Sequence, residues 1–338
     1  MGKLLGDIPV SVLDLSTIVE GDTPADAFRK SRDLAQKAEA WGYTRYWFAE
    51  HHNMESVASS ATAVLIGYVA EGTQKITVGS RGVMLPNHAP LIIAEQFGTL
   101  ASLYPNRIDL GIGRAPGTDG ITSMALRRNL KGSVDEFPND VMEVLGYLGP
   151  RDPSARVRAI PGGGTEVPEW LLGSSTYCAQ LAAILGLPFG FASHFAPAHL
   201  QEALHLYRST FRPSQYLKEP YALACVNVIA AEEQEEAEKM GASFRALILG
   251  LLRNMRRPLQ SPDAAVAEGP FSEAENAAID QMAYYSFVGN AQTVQKGLQA
   301  FVDQTGVDEV MVASHIFEHS ARLKSYELIA PFFKKRES

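Results

Sequence analysis

Apolar residues fall in short, nearly unbroken runs separated by longer stretches of helical period. The runs at 8–15, 43–49, 76–85, 108–112, 167–172, 189–192, 222–230 and 309–313 read as eight strands. Continuous rather than alternating runs are the pattern of parallel strands covered on both faces. Helical stretches follow at 24–41, 60–71, 90–104, 134–147, 177–185, 197–211, 232–256, 291–305 and 318–334. The first is the best signalled. Thr23 suits the N-cap, Pro24 the first helical position and Asp26 the reciprocal cap. Phe28, Leu34, Ala35, Ala38 and Trp41 then recur at helical spacing before Gly42 stops the helix. Eight strand–helix units in 338 residues point to a closed (β/α)8 TIM barrel, with an open doubly wound sheet as the rival. Long loops are expected at 152–164 and 258–270, the second one mobile. Units of one barrel lie on both sides of each, so 1–338 reads as a single domain with insertions in its βα loops.

Composition narrows the class of function more than the fold. Lys and Arg number 30 against 38 Asp and Glu, a net charge of −8 that speaks against nucleic acid or an anionic membrane as partner. A hydrophobic fraction of 46% excludes a disordered chain. Cys178 and Cys225 are too few for a disulfide framework, and no CxxC accompanies them. The start of the chain lacks the features of a signal peptide, and the apolar stretch at 61–70 is far shorter than the ~20 residues that span a bilayer. A cytoplasmic protein is the expectation.

In a barrel of this kind the chemistry sits at the C-terminal ends of the strands. There the sequence places Asp14 and Ser16, then Glu50-His51-His52, Arg81-Gly82, Arg114, Gly173-Ser174-Ser175, His194, Asn227 and His315. Polar strand ends are also what any loop junction gives, and each of these residues can satisfy a neighbouring backbone group instead. Glu50, His51 and His52 invite a metal reading. Adjacent strand residues point to opposite faces, however, and no second histidine or carboxylate cluster completes a ligand set, so no metal is expected. A neutral histidine acting on protons near pH 7 suits His51 better. GIGRAPG at 111–117 lacks the third glycine of a dinucleotide fingerprint, and PGGG at 161–164 reads as a turn. GSSTYC at 173–178 lies between a strand and a helix, where backbone N–H groups and hydroxyls converge on an anion. Capping by Ser174 or Ser175 is the simpler use of the same residues. Arg114 on the neighbouring strand end favours the anion.

WGYTRYWFAEHH (41–52), ITVGSRGVMLPNHAPLIIAEQFGTL (76–100), NRIDLGIGRAPGTD (106–119), WLLGSSTYCAQLAAILGLP (170–188) and FVGNAQTVQKGLQAF (287–301) together resemble the bacterial luciferase-like flavin monooxygenases. The resemblance runs over almost the whole chain and is closest to uncharacterised bacterial members. It implies a (β/α)8 barrel, a homodimer, and FMN bound at the strand C-termini. On this resemblance His51, with Glu50 beside it, is the catalytic position near the flavin. Arg81-Gly82 is a non-proline cis peptide against which the ring packs. Arg114, Gly173, Ser174, Ser175, Tyr177 and Cys178 form the phosphate site. Asp14, Ser16, His194, Asn227 and His315 are left as candidates for the substrate pocket. Gly113 stands at the reactive-cysteine position, Ser174 replaces an acidic residue, and Met124 replaces a second phosphate arginine, with Arg127 or Arg128 within reach of the same anion. These departures weaken a light-emitting or aldehyde-oxidising role and leave flavin binding intact.

The implied activity is oxidation of a small organic substrate by reduced FMN and O2. A separate NAD(P)H:FMN reductase would supply the reduced flavin. Alternatives on the same fold are a deazaflavin-dependent hydride transfer and a flavin-binding protein without turnover. The helices at 60–71 and 90–104, with Val64, Leu65, Ile92, Ile93 and Phe97, are the candidates for the dimer face, and packing on the barrel explains the same residues.

Overall fold

A computed structural model describes residues 2–115, 117–126, 136–267 and 271–334. Nine strands occur among them: β1 (Val10–Asp14), β2 (Arg45–Phe48), β3 (Thr77–Met84), β4 (Ile108–Gly113), β5 (Glu169–Gly173), β6 (Phe189–Phe191), β7 (Ala222–Ala231), β8 (Ser286–Asn290) and β9 (Glu309–Ala313). Twelve helices accompany them. They are α1 (Pro24–Trp41), α2 (Thr62–Glu71), α3 (Pro90–Leu103), α4 (Gly120–Leu126), α5 (Phe137–Leu148), α6 (Thr176–Leu185), α7 (Leu200–Thr210), α8 (Gln234–Leu252), α9 (Pro262–Ala267), α10 (Glu273–Met282), α11 (Ala291–Thr305) and α12 (His319–Ile329).

All strand pairings are parallel, and β1–β2–β3–β4–β5–β6–β7–β9 closes back on β1 as an eight-stranded ring. The ring settles the choice against an open sheet. The extra strand, β8, lies outside it. β7 is ten residues long, and its second half, Asn227 to Ala231, pairs with β8 above the point where β9 leaves off. SFVGN is mostly half-buried, so it lacks the unbroken apolar run that marked the other strands.

Alternation along the strands separates two cores. Leu13, Trp47, Trp170, Leu172, Leu223, Cys225 and Met311 fill the barrel. Their strand neighbours Val12, Tyr46, Phe48, Leu171 and Val310 face outward and pack with Leu34, Ile66, Phe97, Val141 and Leu204 of the surrounding helices. A third cluster joins Ile229 to Phe244, Ile248 and Ile279, which brings α8 and α10 over one side of the C-terminal mouth.

Helix α1 is capped as its sequence predicts. Thr23 Oγ1 accepts from the Asp26 N–H, Asp26 accepts from the Thr23 N–H, and Gly42 ends the helix at φ +92°. The same reciprocal cap, Ser272 with Glu275, starts α10, a helix the hydrophobic pattern leaves unmarked because it buries only Ile279. The expected mobile loop at 258–270 is tied down at its start. Leu259 N–H donates to Ile18 C=O at 2.9 Å, its C=O accepts from Glu20 N–H at 2.8 Å, and α9 follows. Residues 268–270 lie outside the described residues. PGGG forms the predicted turn, seated so close to α3 that a Cβ on Gly98 would stand 2.4 Å from Gly162 Cα.

Candidate active site at the C-terminal mouth

β3 is irregular where its chemistry lies. Its register against β4 shifts between Ser80 and Val83, and Gly82 takes φ +96° inside the shift. Ser80 Oγ donates to Gly111 C=O at 2.9 Å and accepts from Gly111 N–H at 3.0 Å. A Cβ on Gly111 would sit 2.2 Å from Ser80 O, so the first glycine of GIGR serves strand packing rather than a dinucleotide. The Arg81–Gly82 bond is trans, which corrects the expected cis peptide. Among the described residues the cis bond is Ile160–Pro161. The bulge and the positive φ, open to glycine alone without strain, turn the backbone here instead.

The strand ends surround a cavity of about 370 Å³. Its wall includes His51 from β2, Arg81, Gly82 and Met84 from β3, Gly113 and Arg114 from β4, and Gly173, Ser174, Ser175 and Cys178 from the β5–α6 junction. A second cavity of about 240 Å³ shares Leu15, His51, His194 and Phe195 with it. This second wall is largely apolar, from Met54, Val57, Phe244, Leu247, Ile248, Leu251 and Met282, with His315 at its base. A larger cavity, about 540 Å³, lies at the opposite mouth of the barrel against Arg45, Asp109 and Glu169. Barrel chemistry belongs to the C-terminal mouth, and the sequence-predicted groups gather there.

Four groups in these walls have defined states. His51 Nδ1 lies 3.2 Å from Gly117 C=O, which can only accept, so Nδ1 carries the hydrogen and Nε2 keeps its lone pair. Burial lowers the His51 pKa, outweighing the opposing pull of Gly117 and Glu50, so the ring is neutral at pH 7. Burial and the Arg81 charge hold His194 well below the ordinary histidine range. Burial, aided by Arg322, pushes His315 down to about 4, and its ring stacks on Phe244 at 5.3 Å. Burial pushes the Cys178 thiol up to about 11, which leaves it protonated and unreactive.

Several polar atoms here have no protein partner among the described residues. Arg81 donates from Nη2 to Phe191 C=O at 2.7 Å while its Nε bonds to nothing. His194 Nδ1, His315 Nδ1 and Asn227 Oδ1 are likewise unpartnered. Ser175 begins α6 without a side-chain cap bond, so its hydroxyl is free for a ligand at the helix N-terminus. The Arg114 guanidinium stands 4.0 Å over the Tyr177 ring, which orients it beside that terminus although Tyr177 itself is not in the wall. Buried orphans of this kind carry a desolvation cost that a bound ligand removes.

Other predicted residues take different places. Leu13 and Leu15 face the barrel, so alternation turns Asp14 outward, where it accepts from Ser16 N–H at 3.0 Å and Arg322 Nη2 at 2.8 Å. Ser16 Oγ bonds Ser31 Oγ at 2.8 Å. Neither lines either of these two cavities, so the structure places both apart from the pocket expected of them. Asn227 donates to His194 C=O at 2.6 Å and sits behind the wall. Glu50 also lies behind it, accepting from His52 at 3.0 Å and His88 at 2.8 Å. Met124 is exposed on α4, and Arg127 and Arg128 fall outside the described residues. Sequence reasoning missed His88 in this cluster, together with Phe195 and the α8 face. The apolar run LILGLL was the available signal for the last.

The family model for luciferase-like monooxygenases matches residues 8–309. The chain belongs to the luciferase-like monooxygenase family. A protein of Escherichia coli K12 described as a luciferase-like monooxygenase is 52% identical over 95% of this chain and 96% of its own length. The N-acetyl-S-alkylcysteine monooxygenase of Bacillus subtilis is 40% identical over 69% of this chain and 70% of its own. The crystal structure of apo-MsnO8 superposes with a TM-score of 0.90 at 36% identity, covering 97% of this chain and 98% of that one. The fold also extends to the FMN complex of the oxygenating constituent of 3,6-diketocamphane monooxygenase from Pseudomonas putida, with a TM-score of 0.70 at 16% identity over 98% and 99%. An F420-dependent secondary alcohol dehydrogenase matches with 0.71 at 14% over 97% and 99%. As a luciferase-like monooxygenase the chain is an oxidoreductase on a (β/α)8 barrel. Among the described residues no helix is long and apolar enough to cross a membrane.

Proposed function

We propose that this luciferase-like protein is an FMN-dependent monooxygenase that oxidises a small organic substrate with reduced FMN and O2. The observation that carries the reading is one wall combining an arginine, a free helix N-terminus with two serines, and a glycine bulge with an unpartnered buried arginine atom. Arg114, Ser174, Ser175 and the N–H groups opening α6 fit a phosphate. Gly82 and Gly113 stand in the cavity wall without side chains, and Arg81 Nε offers a donor to a ring carbonyl or nitrogen. Reduced flavin supplies the electrons for oxygen activation when it is bound.

The chain's own contribution is positioning and proton control. His51, neutral with Nε2 as its base, holds or takes a proton at the junction of the two cavities. The apolar wall of the second cavity receives the substrate and excludes water from the junction. Glu50 acts through His52 and the β2 exit as a positioning residue. A separate NAD(P)H:FMN reductase supplies reduced flavin, since Gly111 and Gly113 of GIGRAPG belong to β4 and the motif lacks the third glycine of a dinucleotide fingerprint. The protein works as a homodimer through α2 and α3, where Leu65, Ile93 and Phe97 pack inward while Val64 and Ile92 stay 71% and 48% exposed. A cytoplasmic site of action suits the two free, buried cysteines.

The test is a fluorescence titration of the purified protein with oxidised and reduced FMN and with the deazaflavin, followed by oxygen uptake with chemically reduced FMN. Tight FMN binding and substrate-dependent oxygen uptake are expected. Absence of FMN binding overturns the reading. Preference for the deazaflavin moves the protein to hydride transfer, and binding without uptake across a substrate panel makes it a flavin carrier.

A further inference from the structure

We propose that Glu50, His52 and His88 form a binding site for a divalent transition-metal ion, zinc or cobalt by preference. The two imidazoles reach the same carboxylate oxygen, Glu50 Oε1, with their Nε2 atoms at 3.0 and 2.8 Å, and the three ligand atoms lie within 4.8 Å of one another. Tetrahedral zinc with bonds near 2.0–2.1 Å spaces its ligands about 3.4 Å apart, so drawing each imidazole back from Glu50 Oε1 by roughly half an ångström makes room for the ion. Two nitrogens and one carboxylate suit borderline d-block ions and not magnesium or calcium, which take oxygen ligands.

The local fold holds the three groups in place without help from the ion. Glu50 and His52 leave the end of β2, and His88 leaves the turn after β3, the strand paired directly with β2. His88 N–H donates to Leu85 C=O at 2.9 Å, and the His52 C=O accepts from Thr118 Oγ1 at 3.0 Å. The Glu50 side chain is only 2% exposed, and its described partners are the two imidazoles, with neither lysine nor arginine beside it. A buried carboxylate without a full counter-charge is costly, and a divalent ion supplies that charge. His88 is 28% exposed, which provides an entry path and room for a water as fourth ligand. The sequence offered two of these ligands in one tripeptide and gave no second group. The fold supplies it from 36 residues further along, across one strand pairing. Because His51 stands between two of the ligands, the ion would clamp the exits of β2 and β3 and fix the backbone that carries the proposed base.

The experiment uses the full chain, stripped with EDTA and free of flavin, so its outcome is independent of the FMN proposal. Cobalt chloride is titrated in, visible absorption is recorded, and zinc is added in competition. The expected result is one cobalt per chain with the d–d bands of a low-coordinate site, displaced by zinc. Losing an outer-sphere partner of a metal site costs roughly tenfold in affinity, so His88→Ala and Glu50→Gln should each weaken binding by at least about that factor. His205→Ala, an exposed histidine on α7, should bind cobalt like the parent. Absence of the bands, or parental affinity in His88→Ala, overturns the site. His88 is partly exposed, so that variant decides the matter even if Glu50→Gln fails to fold.

Discussion

The two mouths of the barrel treat charge in opposite ways. At the N-terminal mouth Arg45 lies between Asp109 and Glu309, the Tyr221 hydroxyl donates to Glu309 at 2.9 Å, and the guanidinium covers the Trp170 ring at 4.8 Å. Donors and acceptors there largely satisfy one another. At the C-terminal mouth Arg81 Nε, His194 Nδ1 and His315 Nδ1 are left without partners, and Arg114 and the α6 terminus face a cavity. The larger cavity, of about 540 Å³, lies at the better-paired end, so volume and unsatisfied polar chemistry point to opposite mouths. One end is built to hold the ring closed, and the other spends stability on being ready for a ligand.

That contrast can be broken at several points. The largest effect is expected from Arg45→Met, which strands two buried carboxylates. It should lower unfolding free energy by about 3–5 kcal/mol in urea titrations while the folded fraction keeps its FMN affinity. Weaker flavin binding by folded Arg45→Met would merge the two ends into one unit. Arg114→Ala should do the reverse, costing about 1.5–3 kcal/mol in FMN binding by fluorescence titration with little change in melting temperature. Gly82→Ala has space for its Cβ, the nearest atom being 3.6 Å away, and suffers only from the positive φ. A loss of about 1–2 kcal/mol in stability is expected, and a neutral result would show that the bulge relaxes freely.

The smallest effects are in pH dependence. Glu169 and Trp170, at the N-terminal mouth, are exceptions to that end's pairing, and Trp170 Nε1 has no partner among the described residues. One Glu169 oxygen likewise has no partner, and burial holds the Glu169 carboxyl well above the ordinary range. The folded state therefore keeps a proton that the unfolded chain releases above about 4.5, and its stability falls as pH rises from there. Glu169→Gln removes that linkage, so the variant should gain on the parent as pH rises, in chemical denaturation at a series of pH values. Asp14 has the opposite sign. Burial raises its pKa, but the Arg322 charge and bonds from Ser31 and Tyr46 outweigh it and leave the carboxyl below its ordinary 3.8. Its stabilisation is present above that value and fades as pH falls below it, so the gap between parent and Asp14→Asn should narrow in acid.

The ring itself was legible because strands covered on both faces are mostly apolar, and the ring strands confine their charged residues largely to their ends, as Arg45, Glu169 and Glu309 do. β8 was not, because a strand outside the ring needs no such run. Strand ends were legible as a set, but the direction of each side chain was not. Asp14 next to Leu13 and Leu15 shows why, since alternation needs one fixed register to decide which residue faces in. The bulge at Gly82 hid for a related reason, because it depends on the register between β3 and β4. His88 was invisible as a partner of Glu50 because only the β2–β3 pairing brings the two exits together. The β5–α6 junction, by contrast, is built from residues adjacent in sequence, so GSST after a strand was enough to expect a helix N-terminus there, while Arg114 comes to the same cavity from β4.

The pairing of β7 directly with β9 means that the chain leaves the ring after β7 and comes back only at β9. Between the two strands α11 packs back on the side of the barrel through Val294, Leu298, Phe301 and Val302, while the stretch that carries α8 and α10 lies over the rim. It furnishes Phe244, Leu247, Ile248, Leu251 and Met282 to the apolar cavity and nothing to the cavity that holds Arg114 and the serines. Exchanging α8 and α10 for a relative's is therefore expected to reshape the apolar cavity and leave the walls of the cavity beside Arg114 as they are.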